Sequence, residues 1–194
     1  MKKVGLTGGI GSGKSFVAKI FESMDIPVYY ADKEAKRLMW RDKGLKQKIK
    51  MLLGKRAYHV NGRLNRSYVS EKIFSDKKLI KKINGLVHPA VREDLTKWFS
   101  EQNSVYAIQE AALIFETGKY DFFDKIITVS ADKELRIERV MKRDGVSRQS
   151  VVARMKNQLP QEFKIENSDF IIENNGDKSL LQQIHAIHQA LSKN

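Results

Sequence analysis

The chain has 194 residues, with 36 Lys and Arg against 23 Asp and Glu, a formal net charge of +13, and no cysteine. The missing cysteines exclude a disulfide framework, a thiol nucleophile and a thiolate zinc site, and no apolar run reaches the roughly 18 residues that cross a bilayer. The chain starts too close to its first predicted strand for a signal peptide, so we expect a cytoplasmic protein without membrane contact.

A glycine-rich loop follows the first predicted strand, residues 2–7. Residues 8–15 read GGIGSGKS and fit the phosphate-binding pattern G-x-x-x-x-G-K-[ST] in full. The glycines let backbone N–H groups surround anionic oxygens, Lys14 can reach the β- and γ-phosphates, and Ser15 can ligate Mg²⁺. The apolar residues behind the loop have the spacing of a helix face: Val17, Ala18, Ile20, Phe21 and Met24. Strand, loop and helix together predict a phosphate at a helix N-terminus, and the alternative is a glycine-rich turn without a ligand.

The second predicted strand, residues 27–31, ends directly before Asp32. Ligands of open α/β sheets bind beyond the carboxyl ends of the strands. Asp32 could therefore accept the proton of an attacking hydroxyl or help to hold Mg²⁺. It could equally be the N-cap of a helix that begins at Lys33, and the sequence leaves both interpretations open.

Residues 33–103 are basic and helical in pattern, and they are too long for a simple crossover between strands. We therefore expect an inserted helical subdomain that holds a substrate. One predicted helix within it has apolar positions on one face, followed by a glycine C-cap: Leu45, Ile49, Leu52, Leu53 and Gly54. A turn is expected at Asn61-Gly62. His88-Pro89 is expected to break the chain, because the residue before a proline prefers an extended conformation.

The remaining strands are predicted at residues 105–108, 125–129 and 169–173. They complete a five-stranded, mostly parallel sheet flanked by helices in an α/β fold. Glu110 follows the third strand, where phosphate-loop proteins often place a carboxylate that supports magnesium. A cap on a surface helix is the alternative for Glu110.

Two helices, at residues 133–143 and 148–158, predict a helical lid over residues 133–160. Arg139 and Arg143 lie four residues apart and therefore project from one helix face. Their guanidinium groups could close over a transferring phosphoryl group, or they could lie on a solvated face. In the terminal helix, we expect His185 and His188 at the surface and not at a metal, since no third ligand is in view.

The motifs that are missing narrow the class of enzyme. Neither Asn-Lys-x-Asp nor Asp-x-x-Gly occurs, which argues against a GTPase switch, and the chain is short for a helicase or a transporter. A small-molecule kinase remains, with the insertion at the acceptor and the arginines in the lid.

The ordered set of motifs resembles the dephospho-coenzyme A kinases over essentially the whole chain. In chain order it comprises residues 7–15, Ala31-Asp32, residues 61–66, His88-Pro89, residues 113–116, residues 139–144, Gln158 and residues 169–174. The resemblance implies one P-loop NTPase domain over residues 1–194. It also implies ATP-dependent phosphorylation of the ribose 3′-hydroxyl of dephospho-CoA, with Mg²⁺, to give CoA and ADP. Tyr30, Ala112 and Phe16 depart from the residues that are usual in the family.

The resemblance also implies roles for individual positions. Asp32 would be the base, and it would bind the acceptor together with Arg66, His88 and Glu116. Lys14, Arg139 and Arg143 would act on the transferring phosphoryl group, and Ser15 would hold Mg²⁺. The ATP-binding positions would be Gly9, Gly11, Ser12, Gly13, Lys14, Ser15, Phe16, Asn174 and Gly176, with residues 174–176 near the adenine.

Two other functions stay open as alternatives. A nucleoside or nucleotide kinase would share the loop, the base and the lid but bind a smaller acceptor. A nucleic-acid-binding ATPase is suggested by the net charge, and it would bind DNA or RNA in a salt-sensitive way. For the leading hypothesis we expect a small-molecule acceptor, no nucleic acid partner and a monomer.

Overall fold

The secondary structure alternates between strands and helices along the described part of the chain. The computed structural model describes residues 1–74, 76–118 and 120–193. The strands are β1 (Lys2–Thr7), β2 (Val28–Tyr30), β3 (Tyr106–Glu110), β4 (Lys125–Ser130) and β5 (Phe170–Glu173). The helices are α1 (Lys14–Glu22), α2 (Ala31–Arg41), α3 (Lys43–Leu53), α4 (Arg66–Phe74), α5 (Lys77–Ser100), α6 (Lys133–Asp144), α7 (Arg148–Met155), α8 (Gln161–Glu166) and α9 (Leu180–Ser192).

The five strands form one sheet in the order β2-β3-β1-β4-β5, and every pairing in it is parallel. β1 is central, and Val4, Leu6 and Thr7 are fully inaccessible to solvent. This burial is expected of a parallel strand whose sheet is covered by helices on both faces. The sheet confirms the predicted α/β fold. At the end of β2 one expectation is wrong, because Ala31 begins α2 and does not continue the strand.

The chain divides into two units, residues 1–30 with 102–194 (unit 1) and residues 31–101 (unit 2). Unit 1 contains the sheet, and its core packs α1 and α9 against the central strands, with Phe21, Tyr106 and Ile184 fully buried. Unit 2 is helical and has its own core around Leu45, Ile49 and Leu53, the predicted apolar face of α3. Each unit therefore buries a separate apolar cluster.

Helix α5 runs through His88 and Pro89 without a break, so the expected interruption there is wrong. A proline inside a helix removes one hydrogen bond, and its ring crowds the carbonyl four residues earlier. The packing of α5 against α2, α3 and α4 stabilises the helix in spite of the proline.

The histidines of α9 differ from each other. His185 is exposed, and its Nε2 lies 3.0 Å from Gln189 Nε2. His188 is half-buried, and its Nδ1 lies 2.8 Å from the hydroxyl oxygen of Tyr106. The surface location expected for both is therefore wrong for His188. Among the described residues, no cluster of His, Cys, Asp and Glu could hold a metal ion by itself, and none of the described helices is long and apolar enough to cross a membrane.

Candidate active site

The glycine-rich loop connects the carboxyl end of β1 to the first turn of α1. Gly11 and Gly13 have φ angles of 82° and 93°, a region that residues with a side chain rarely adopt. The helix begins at Lys14, and the N–H groups of Lys14 and Ser15 at its start have no carbonyl of a preceding turn to bind. These N–H groups and the positive end of the helix dipole favour an anion at the loop, in agreement with the motif.

Lys14 and Ser15 meet at one carboxylate oxygen of Glu110, the last residue of β3. The Lys14 ammonium lies 3.1 Å from Glu110 Oε1, and the Ser15 hydroxyl donates to the same oxygen at 3.1 Å. Glu110 is only 4% exposed and lies in a strand. The alternative of a cap on a surface helix is thus wrong. The carboxylate holds both side chains of the motif at the carboxyl edge of the sheet.

The oxygens of Ser15 and Glu110 fit the requirements of Mg²⁺. This ion prefers oxygen ligands and usually takes one or two from the protein, with the rest from phosphates and water. A hydroxyl and a carboxylate that are hydrogen-bonded to each other beside the phosphate loop supply such a pair. The site needs no larger cluster of acidic residues.

Asn174 is held against the loop directly after β5. Its side-chain amide donates to the carbonyl of Ser12 at 2.8 Å, and its backbone N–H donates to the carbonyl of Ser130. Gly176 follows in the connection to α9 with a φ of 100°. Phe16 points outward from α1 and is 59% exposed. The structure thus joins Asn174 to the loop, and it puts Phe16 on the solvent side.

The predicted lid contacts the tip of the phosphate loop. The side-chain oxygen of Gln158 accepts the N–H of Ile10 at 2.8 Å. The side chain of Ile10 packs on the apolar cluster of α6 and α7, which contains Ile137, Val140 and Val151. In this structure the loop and the base of the predicted lid therefore form one packed assembly.

The two predicted lid arginines have different surroundings. Arg143 is exposed, and its guanidinium donates two hydrogen bonds to Asp144; these bonds raise the pKa of Arg143. Arg139 is half-buried, and its Nη1 is buried with no hydrogen-bond partner among the described residues. Arg143 thus lies on a solvated face, the alternative considered above, whereas Arg139 does so only in part.

Glu116 pairs with a buried lysine. Lys164 of α8 is completely inaccessible, and its ammonium lies 2.7 Å from Glu116 Oε1 and 3.0 Å from the carbonyl of Ala112. The same Oε1 accepts the N–H of Leu159 at 2.9 Å, while Oε2 is buried with no hydrogen-bond partner among the described residues. Glu116 thus connects the segment after β3 to the end of the predicted lid.

The other predicted substrate residues lie in unit 2. Asp32 is the second residue of α2 and is exposed, so the interpretation of Asp32 as an N-cap before Lys33 is wrong. It follows Tyr30 by two residues, and Tyr30 lies opposite Glu110 in the sheet register. Arg66 begins α4, and His88 lies within α5; both are exposed.

Sequence reasoning missed two residues of this region. Arg136 contacts the loop at Gly9 and Gly11, and it lies three residues before Arg139, so helical spacing could have indicated it. Lys164 gave no such signal, because a buried lysine cannot be distinguished from a solvated one by sequence. Burial lowers the pKa of Arg136, and the charge of Glu162 opposes this effect.

Comparisons with known proteins agree with this geometry. The family model for dephospho-CoA kinase matches residues 2–179. A dephospho-CoA kinase from Bacteroides fragilis is 36% identical over 183 residues, which cover 94% of this chain and 89% of that protein. The crystal structure of TT1252 from Thermus thermophilus is 33% identical, with a TM-score of 0.88 over 100% of this chain and 98% of that one. A dephospho-CoA kinase from Campylobacter jejuni is 25% identical, with a TM-score of 0.68 over 100% and 98%. The chain belongs to the dephospho-CoA kinase family.

Proposed function

We propose that this chain phosphorylates the ribose 3′-hydroxyl of dephospho-CoA with ATP and releases CoA and ADP. One observation carries the proposal: Lys14 and Ser15 of a phosphate loop converge on the buried Glu110, in a chain that belongs to this kinase family. The arrangement supports a nucleoside triphosphate as donor, because it combines anion-binding N–H groups with an ammonium beside them.

The donor half of the site lies in unit 1. Lys14, Arg139 and Arg143 would neutralise charge on the phosphoryl group as it moves, and Arg143 would have to leave Asp144 to do so. Ser15 and Glu110 would hold Mg²⁺, which when bound supplies positive charge to the phosphate oxygens. Asn174 and Gly176 would border the base of the nucleotide.

The acceptor half would be formed by residues 33–103, with Arg66 and His88, and by Glu116. Unit 2 contains 19 Lys and Arg against 8 Asp and Glu, a formal charge of +11 out of +13 for the whole chain. This concentration supports an anionic acceptor such as one with a pyrophosphate group.

In the reaction, Asp32 would take the proton of the 3′-hydroxyl while that oxygen forms a bond to the γ-phosphorus. The bond from the γ-phosphorus to the bridging oxygen of ADP breaks, and the electron pair leaves with ADP. Residues 133–160 would act as a lid that excludes water. We further propose that the chain acts as a monomer in the cytoplasm, without nucleic acid.

An acceptor screen tests this function. ADP formation is measured with ATP and Mg²⁺ in the presence of dephospho-CoA, adenosine, AMP or single-stranded DNA, and mass spectrometry identifies the product. We expect turnover with dephospho-CoA that depends on Mg²⁺, with CoA as the product. Good turnover with adenosine or AMP and none with dephospho-CoA would favour a nucleoside or nucleotide kinase. ATP hydrolysis stimulated by DNA would favour the nucleic-acid-binding alternative.

A further inference from the structure

Helix α6 contacts the phosphate loop through Arg136. The Nη1 of Arg136 lies so close to Gly9 that a β-carbon at position 9 would collide with it. The backbone carbonyl oxygen of Arg136 would likewise collide with a β-carbon at position 11. The glycines at these two positions therefore leave room for Arg136 as well as for an anion. The guanidinium of Arg136 lies at the edge of the loop where the motif binds phosphate.

The charge of Arg136 is poorly compensated by the protein. Its Nε is buried with no hydrogen-bond partner among the described residues, and the same holds for Nη1 of Arg139 one turn later. A buried donor without an acceptor costs free energy, and the cost is larger for a charged group. Two such donors on one face of α6 indicate that the face binds an anion.

The other arginines of the predicted lid provide a contrast. Arg143 and Arg154 both pair with Asp144, at 2.7 and 2.9 Å, and Arg148 pairs with Glu134 at 2.6 Å. Arg136 and Arg139 have no ion pair within the residues that the structure describes. Among the five arginines that the structure describes in residues 133–160, the two without an ion pair are therefore the two that are half-buried on α6.

We propose that Arg136 is a ligand of the phosphate chain of the bound nucleotide and sits at the Gly9 edge of the loop. A guanidinium donates well-directed hydrogen bonds to phosphate oxygens, which would supply the acceptors that its own protein surroundings lack. The inference rests on the proposed function only in that the donor is a nucleoside triphosphate. It adds Arg136 to the cations that are proposed to contact the phosphates. It also gives Gly9 and Gly11 a second role, which is to leave room for Arg136 beside the loop.

The substitution Arg136→Met tests this role through nucleotide binding alone. Calorimetry without dephospho-CoA measures the dissociation constants of ATP, ADP and AMP. We expect the dissociation constant of ATP to rise about 10- to 100-fold, the effect of losing one charged hydrogen bond. The dissociation constant of AMP should change less than roughly threefold. If the affinity for ADP falls as much as that for ATP, Arg136 binds the β-phosphate. If the affinity for ADP falls less, Arg136 binds the terminal phosphate of ATP.

Two controls separate this role from a structural one. Arg148→Met removes an exposed arginine of the same region, and the affinity for ATP should stay within about twofold of the wild-type value. Arg136→Lys keeps a charge and should retain more ATP affinity than Arg136→Met. The unfolding temperature of Arg136→Met without nucleotide should equal or exceed that of the wild type, because the variant removes a poorly compensated buried charge.

The proposal is overturned if Arg136→Met binds ATP as tightly as the wild type or loses ATP and AMP affinity equally. A lower unfolding temperature of both Arg136 variants, together with equal loss of all three nucleotides, would also overturn it and make Arg136 a structural residue. Because no acceptor is present, a wrong assignment of dephospho-CoA would leave these results unchanged and would be found only in the acceptor screen.

Discussion

Glu110 contacts the two side chains of the phosphate loop that are proposed to act on the nucleotide. Its Oε1 lies 3.1 Å from the Lys14 ammonium and accepts a hydrogen bond from the Ser15 hydroxyl at 3.1 Å, and almost none of the residue is exposed. A buried carboxylate requires such partners, because an unpaired charge would be costly there. Glu110 therefore positions the loop side chains and is also available to a cation.

The substitution Glu110→Gln removes this charge with little change in shape. We expect kcat to fall about 10²-fold, by analogy with the loss of one preorganised electrostatic group. The Mg²⁺ concentration for half-maximal rate should also rise. A magnesium titration of kcat measures both, with Glu138→Gln on the exposed side of α6 as the control. An unchanged magnesium requirement would contradict a role of Glu110 in holding the ion.

A second prediction concerns Asp32, the proposed base. Asp32→Asn should abolish transfer while the affinity for ATP stays within a few-fold, because the amide cannot accept the proton. Asp42→Asn is the matched control, since Asp42 caps α3 by accepting the N–H of Leu45 and asparagine caps equally well. Single-turnover rates and ATP binding are compared in both variants. A near-normal kcat of Asp32→Asn would show that Asp32 is not the base.

The pair of Lys164 and Glu116 predicts a large effect on stability. Lys164→Met leaves the Glu116 carboxylate without its buried partner, and we expect a loss of about 3–5 kcal/mol in the free energy of unfolding. The double variant Lys164→Met with Glu116→Gln should recover part of that loss. Urea unfolding measures the free energy of unfolding of the wild type, the single variant and the double variant. A loss below about 1 kcal/mol for Lys164→Met would show that water or relaxation replaces the lysine.

At the scale of elements, the end of the predicted lid is attached at two successive residues. Gln158 binds the N–H of Ile10, and the N–H of Leu159 binds Glu116. The next residue, Pro160, precedes α8, which carries Lys164. The residues that end the predicted lid are therefore bonded both to the tip of the phosphate loop and to the segment after β3.

Helix α5 contains a proline that propensity alone would exclude. Pro89→Ala restores one backbone hydrogen bond within the helix, so we expect the free energy of unfolding to rise by about 1–3 kcal/mol. Gly85→Ala in the same helix gives the scale of helix propensity alone, about 0.5–1 kcal/mol. Circular dichroism during urea unfolding measures both. A lower stability of Pro89→Ala would show that the proline is favoured through the unfolded chain.

For the molecule as a whole, the charge is distributed unevenly between the two units. Unit 2 has a formal charge of +11, and unit 1, with 17 Lys and Arg against 15 Asp and Glu, has +2. We expect the KM for dephospho-CoA to rise more steeply with salt, between about 50 and 500 mM, than the KM for ATP, because exposed charges are screened. Steady-state kinetics at fixed magnesium measures both constants. Equal salt dependence of the two constants would contradict acceptor binding by unit 2.

Local patterns were enough to predict the strands, the phosphate loop and the apolar face of α3. Each depends on residues that are close in the chain, such as the glycines at positions 11 and 13 or the spacing of Leu45, Ile49 and Leu53. The break at Pro89 was wrong because the packing of α5 overrode a local preference, and the N-cap at Asp32 was wrong because α2 already begins at Ala31. The family resemblance supplied the acceptor, which no spacing in the chain indicates.

Sequence was sufficient to predict a donor site, because the loop motif indicates phosphate binding within eight consecutive residues. It could not assign partners to charges that meet only after folding. Glu110 is 95 residues from Ser15 in the chain, and Lys164 is 48 residues from Glu116, yet each pair is in contact. Arg136 could not be distinguished from other helix arginines by sequence, and only folding placed it on Gly9 and buried its Nε. Burial and long-range contact change what a charged side chain can do, and both arise only from the folded chain.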